Sequence, residues 1–185
     1  MDGFTVSVDS AATRRDLERL TGRSLERAIA FALNRTIKSV AAESSRLIRT
    51  EITMKAPAVK KRLRVGKART SDLTARLTVG AKPSPLTDFA GTRQVRLGVS
   101  VKIKQRGGRK VIRGAFLTRF KSGRFTAATR EIRDGRRVGR LPIRQLLSTS
   151  PAAAVRRPLV LRRLEDHALE RFGIEFARET KRLLS

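Results

Sequence analysis

The chain has 185 residues, 43 of them Lys or Arg and 16 Asp or Glu, for a formal net charge of +27. It contains no Cys, Trp or Tyr, one His and eight Phe, which excludes a disulfide scaffold, a Cys-based zinc site and any His-rich metal site within one chain. With 39% hydrophobic and 32% charged residues, one domain with a moderate core and polar extensions is expected, and a charge this large repels itself until nucleic acid or acidic partner subunits neutralise it.

The chain starts Met1-Asp2-Gly3-Phe4, without a basic stretch leading into an apolar run, so no secretory signal is expected. The longest apolar run, 28–33, is far short of a membrane span, and a soluble protein made in a reducing cytoplasm is the expectation. Residues 4–9 alternate apolar and polar as a short strand. Residues 11–20 read as a short helix, capped by Asp9 or Ser10 and closed by Gly22.

The longest regular segment is 24–55. Leu25, Ile29, Leu33, Ile37, Val40, Leu47, Ile48 and Ile52 fall on the 3.6-residue period, with small Ala41 and Ser44 on the same stripe. Pro57 ends the run, because the residue before a proline avoids the α region. A helix of that length measures about 48 Å at 1.5 Å per residue, whereas a compact globule of this size has a radius of gyration of about 16 Å. Either the helix breaks, or it overhangs its domain and its stripe is covered by another copy; we adopt the second as the expectation.

Residues 57–67 carry Pro57 at a plausible first helical position, with Val59 and Leu63 one turn apart, and predict a short basic helix. Strands are expected over 73–79 and over 95–103, where Val95, Leu97, Val99, Val101 and Ile103 alternate with polar residues. A loop with apolar anchors, 83–89, lies between them. Gln105-Arg106-Gly107-Gly108 signals a hairpin with 109–120 as the returning strand. Another strand follows over 125–132, and then a turn at Arg133-Asp134-Gly135. The last helix begins near Pro158. Leu161, Leu164, Ala168, Phe172, Phe176 and Leu183 form its apolar face, and Glu165, Asp166, Glu170, Glu175 and Glu179 with Arg163, Arg171 and Arg178 its solvated one. The expected fold class is α+β: a long N-terminal helix and a C-terminal helix packed on a small antiparallel β-sheet with basic hairpins.

The charge is unevenly spread. Residues 1–56 carry +3, 57–72 carry +5, 73–101 carry +3, 102–140 carry +12 and 141–185 carry +4. Lys102, Lys104, Arg106, Arg109, Lys110 and Arg113 surround one turn, Arg119, Lys121 and Arg124 the next, and Arg133, Arg136, Arg137 and Arg140 the third. These are the candidate contacts to phosphate or to an acidic partner, of the kind that positions nucleic acid without reading bases. Phe116, Phe120 and Phe125 read as core rather than as stacking platforms. Leu25, Ile29, Leu33, Ile37, Val40, Leu47 and Ile52 are the candidate helix-packing and oligomer stripe.

Catalysis is not expected. The sequence has no P-loop and no nucleophile elbow, and its single His rules out a His pair. His167 reads as a structural helical residue. Asp72, Asp88, Glu131 and Asp134 are the only acids in the strands and loops, and no pattern groups them for a metal. No cofactor is implied.

Ala32-Leu33-Asn34-Arg35-Thr36 resembles an element near the start of bacteriophage minor tail protein Z. The order that follows also resembles that family: a basic stretch over 60–67, the loop over 86–89, Gly98-Val99-Ser100-Val101, then Gly114-Ala115-Phe116. Arg130 next closes a Phe-containing strand, and Arg140-Leu141-Pro142-Ile143 precedes Ser150. The chain departs from the pattern at Ser148-Thr149, where Gly-Pro is expected. The resemblance implies a structural virion protein of a long-tailed phage. It would be a tail-completion or neck subunit at the head-proximal end, aiding head–tail joining and DNA placement, made in the host bacterial cytoplasm. It also implies a homo-oligomeric ring of about six copies. Its partners would be the tail terminator, the head–tail connector or other neck proteins, with viral DNA in passage and no membrane. Under this reading residues 1–22 form an N-terminal strand and short helix, 23–157 a tail-completion-like α+β domain and 158–185 a C-terminal helix, one domain overall. The alternative is a sequence-nonspecific basic nucleic-acid-binding protein.

Overall fold

The computed structural model describes residues 22–133, 136, 137, 139 and 142–184. The strand expected over 4–9, the helix over 11–20, Asp134 and Gly135 of the third turn, and Arg140-Leu141 lie outside them. In chain order the elements are α1 (Arg23–Glu51), α2 (Ala56–Lys60), β1 (Leu63–Gly66), β2 (Arg76–Val79), β3 (Ser84–Pro85), a 3-10 turn (Leu86–Asp88), β4 (Arg93–Val95), β5 (Gly98–Val101) and β6 (Lys110–Arg113). They continue with β7 (Phe116–Arg119), β8 (Phe125–Arg130), β9 (Ile132–Arg133), β10 (Arg136–Arg137), β11 (Ile143–Gln145), β12 (Leu147–Ser148), α3 (Pro151–Val155) and α4 (Pro158–Leu184). A long N-terminal helix, a C-terminal helix and small antiparallel sheets make the class α+β.

The chain divides into two compact units. One comprises Met1–Arg46, Lys61–Gly80 and Val155–Ser185, the other Leu47–Lys60 and Ala81–Ala154. This division answers the length problem posed by the long helix. Helix α1 runs unbroken for 29 residues, about 44 Å, and its residues are shared between the two units. Leu33, Ile37, Val40, Leu47 and Ile52 are buried by this chain, while Leu25 and Ile29 are half-buried. Those five buried positions are thus covered within this chain. The helix also stops at Glu51, earlier than Pro57 alone demands. The backbone beyond it is taken up by extended pairing: Thr53 N–H donates to Ile103 O (2.8 Å), Ala90 N–H to Thr53 O (2.7 Å) and Gln105 N–H to Glu51 O (3.0 Å).

In the helical unit α1 and α4 run antiparallel, with contacts from Ser39–His167 through Arg35–Glu175 to Phe31–Arg182. Ala28, Ala30, Ala32 and Leu33 pack with Phe172 and Phe176, and Ala68 closes the cluster. The two phenylalanines, one turn apart, stack with centroids 5.6 Å apart. The helix expected over 57–67 is confined to Ala56–Lys60. Leu63–Gly66 is instead a strand, because four antiparallel pairs with β2 (Leu63↔Val79 to Gly66↔Arg76) satisfy its backbone and β-branched Val65 suits a pleated partner.

In the sheet unit the expected small antiparallel sheet is two three-stranded antiparallel sheets, ordered β4-β5-β6 and β11-β8-β7, with the short pairs β3-β12 and β9-β10. Two glycines redirect the chain here. Gly98 has φ 153, and a Cβ there would lie 2.0 Å from the Ile112 carbonyl oxygen. The strand expected over 95–103 therefore breaks into β4 and β5, and Leu97 stands exposed in the turn between them. Gly114, φ 71, redirects the chain from β6, paired with β5, into β7, paired with β8. Gln94 then ties the sheets together: its amide nitrogen donates to Gly98 O (2.8 Å) and its amide oxygen accepts Leu117 N–H (2.8 Å). Buried Val99, Val101, Leu86, Phe89, Ala127 and Ala128 form the core here.

Candidate functional site

The sheet unit carries 21 Lys and Arg against four Asp and Glu, a net of +17. Its strands set most of that charge on hairpins. Strand β5 pairs with β6 in the register Val101↔Lys110 to Gly98↔Arg113, so Lys102, Lys104, Arg106 and Lys110 cluster around one connection. Lys104, Arg106 and Lys110 are exposed, and Lys102 is half-buried with its carbonyl accepting the Thr53 hydroxyl. Arg113 sits at the opposite end of β6, paired with Gly98, and Arg93 shares its face through Ser100 and Val111. The charge-run reading passed over Arg93; strand register was the signal that would have joined it to Arg113.

Arg109 differs from its neighbours. Its Nε donates to Ser100 Oγ (3.2 Å), and a terminal nitrogen donates to Gly91 O. This guanidinium is held down as a brace between strands. Arg119 likewise donates to Gly123 O (3.2 Å) and clips its own turn, while Lys121 and Arg124 are exposed. Arg136 and Arg137 lie on β10, paired with β9; their side chains are outside the described residues. The aromatic reading needs a correction. Phe116 is half-buried beneath the Arg130 guanidinium, 5.0 Å from its ring centre. Phe125, the first residue of β8, is 49% exposed and pairs with Arg119.

In the helical unit the sequence reading misplaced two acids. Glu175 and Glu179 were expected on a solvated face, but their side chains are 4% and 1% exposed. Arg35 lies 3.4 Å from Glu175 and 3.1 Å from Glu179. Arg171 and Arg178 close on Glu175 at 2.7 and 3.3 Å, and Arg182 on Glu179 at 3.1 Å. Buried carboxylates need such partners. The signal was available: 175 and 179 share the helical angle of Leu164, Ala168 and Phe172, and sorting by charge hid it. A cavity of about 190 Å³ lies nearby, between Ala28, Phe31 and Leu183. The residues Ala32-Leu33-Asn34-Arg35-Thr36 each have a use here. Ala32, Leu33 and Thr36 are buried, Arg35 reaches the glutamates, and Asn34 bonds both backbone groups of Ala68, donating to its carbonyl (2.9 Å) and accepting its N–H (2.8 Å).

His167 shares a hydrogen bond with Ser39 (2.9 Å) across the helix pair. Glu43 lies near, clasped by Arg46 at 2.8 Å. The Arg46 hydrogen bond holds the Glu43 carboxyl below the usual carboxylate range against a smaller opposing effect of burial, and Arg46, His167 and Arg163 add electrostatic attraction. The carboxylate is thus committed to Arg46, and the serine–histidine contact joins the helices. Among the described residues no group of three or more His, Asp or Glu could hold a metal ion, and no helix is long and apolar enough to cross a membrane. What these surfaces can do is attract and position an anion.

The model of the family described as prophage minor tail protein Z (GPZ) matches residues 9–184. No curated protein and no solved structure matches the chain.

Proposed function

The chain belongs to the prophage minor tail protein Z family, a family of structural tail proteins and not of enzymes, and from that premise we propose that it completes the tail at its head-proximal end. In this reading the virion tail protein sits among the tail terminator, the head–tail connector or other neck proteins. It helps join head to tail and place the DNA end, as a ring of about six copies made in the host bacterial cytoplasm.

The observation that carries the reading is the charge of the sheet unit, 21 basic residues against four acidic ones, presented on exposed hairpins at Lys104, Arg106, Lys110, Lys121 and Arg124. A conduit for DNA needs attraction that is weak and indifferent to sequence, since tight binding would stall passage. Phosphate-directed arginines and lysines on short turns have that character. The same charge favours one second reading, a free-standing sequence-nonspecific nucleic-acid-binding protein.

In vitro complementation separates the two. Tails and filled heads from a phage lacking this gene are mixed with the purified protein. The tail-completion reading expects infectious particles to form only when the protein is added, with the protein retained on them. Infectivity without it, or protein recovered only on free nucleic acid, supports the second reading instead.

A further inference from the structure

The hairpin β1–β2 belongs to the helical unit and is not part of the basic run at 102–140 in the sequence, yet residues 61–80 hold six Lys and Arg against one Asp. Its register places Arg64 opposite Thr78 and Gly66 opposite Arg76. These four positions share one face by the two-residue period of a strand, and all four are exposed. Leu77, of the other parity, is buried. Arg64 and Arg76 are diagonal neighbours, about 7–8 Å apart at the backbone. Beyond the strands the tip adds Lys67 and Arg69, also exposed. Among the described residues the side chains of Arg64, Lys67, Arg69 and Arg76 have no carboxylate partner.

Two features indicate that this hairpin is built to be met. Gly66 lacks a positive φ, and a Cβ there would meet only ordinary contacts, 3.7 Å from Arg76 Cβ. Neither backbone nor packing calls for a glycine, and its effect is to leave the face between the two arginines open to close approach. The tip is also rigid before binding. Asn34 of α1 grips Ala68 through both backbone groups, and Arg69 and Asp72 exchange a pair of hydrogen bonds at 2.8 and 3.1 Å. Ordering costs are then already met when a ligand arrives.

We propose that this hairpin is a second anion-contact site and that its ligand is the phosphate backbone of duplex DNA, held without sequence preference. The chemistry favours DNA over an acidic protein. A protein–protein patch wants an apolar centre depleted of charge, whereas this face offers two Arg, one Thr and one Gly. A two-stranded ribbon also fits the major groove. The inference does not depend on which end of the tail the protein occupies.

The test uses the full-length protein and a labelled 30-base-pair duplex of random sequence, with affinity measured across a salt series. R64S/R76S should bind about tenfold more weakly at 0.1 M salt, and its log–log salt slope should fall by about 1.8, two phosphate contacts at about 0.9 each. R162S/K181S removes the same charge from exposed positions of α4 and should leave the slope near wild type. N34A keeps every cation, so its slope should hold while affinity drops about threefold, the mark of a positioning residue. Matching thermal unfolding checks the fold of each variant; if R64S/R76S unfolds, K67Q/R69Q at the tip gives the same readout. An unchanged slope in the hairpin variants, or an equal loss in R162S/K181S, overturns the proposal. Normal duplex binding with loss of the variant from virions also overturns it, and assigns the face to an acidic protein.

Discussion

The two units handle charge in opposite ways. The helical unit sets 22 basic residues against 12 acidic ones and turns several into internal fasteners: Arg35, Arg171, Arg178 and Arg182 on two buried glutamates, and Arg46 on Glu43. The sheet unit has too few acids to do the same. Two of its arginines brace backbone carbonyls, and many of the rest extend into solvent. Charge that is paired within a fold holds the fold together, and charge in excess of any internal partner calls for one outside.

The comparison can be broken first at a single atom in the sheet unit. Adding a methyl group in G98A puts it 2.0 Å from the Ile112 carbonyl, and the backbone must part. A loss of about 3 kcal/mol or more is expected in urea unfolding; a near-neutral G98A contradicts the pairing of β5 with β6. Next comes the helical unit. R35A leaves two buried carboxylates short of one cation and should cost about 2–3 kcal/mol. The same truncation at exposed Arg106 of the sheet unit should cost under about 0.5 kcal/mol. Equal costs at the two sites would erase the contrast between units.

Within the sheet unit Arg109 and its neighbours should part ways. R109S removes a brace and should cost about 1–2 kcal/mol, while R106S/K110S should leave the unfolding midpoint nearly unchanged. If phosphate or an acidic partner is met there, R106S/K110S should instead lower infectivity or DNA retention. The smallest effect is titration of Glu43. Its carboxyl is held below the usual range, first by the Arg46 hydrogen bond, so its contribution is present above the ordinary carboxylate pKa and is lost as the pH falls through the lowered one. Wild type and E43Q should converge in stability only in that acid range; a gap that persists or widens there contradicts the assignment.

Periodicity revealed the two long helices, because Leu33, Ile37, Val40 and Phe172 repeat at the helical spacing over many turns. It revealed the central strand β5, because Val99 and Val101 alternate. It missed the breaks. An alternating run such as 95–103 carries no mark of a turn unless Gly98 is read as a site of close backbone approach. A basic segment such as 57–67 suits helix and strand alike until its partner, β2, is known. The charge runs were visible in the sequence, but nothing in a run tells Arg109, which is pinned, from Arg106, which is exposed. Several of the residues that carried the family resemblance are architectural. Gly98 permits a strand contact, Gly114 turns the chain, and Ala32 to Thr36 knit the helix pair to the tip of β1–β2.

The central claim is that this tail protein sits at the head-proximal end with its surplus charge turned to an anionic partner. Cryo-electron microscopy of complete virions, with the protein labelled by an inserted tag, tests it most directly. The account predicts tag density as a ring where tail meets head, with the sheet unit facing the DNA channel or an acidic neck protein. Density confined to the distal tip of the tail, or a sheet unit facing open solvent, would contradict it.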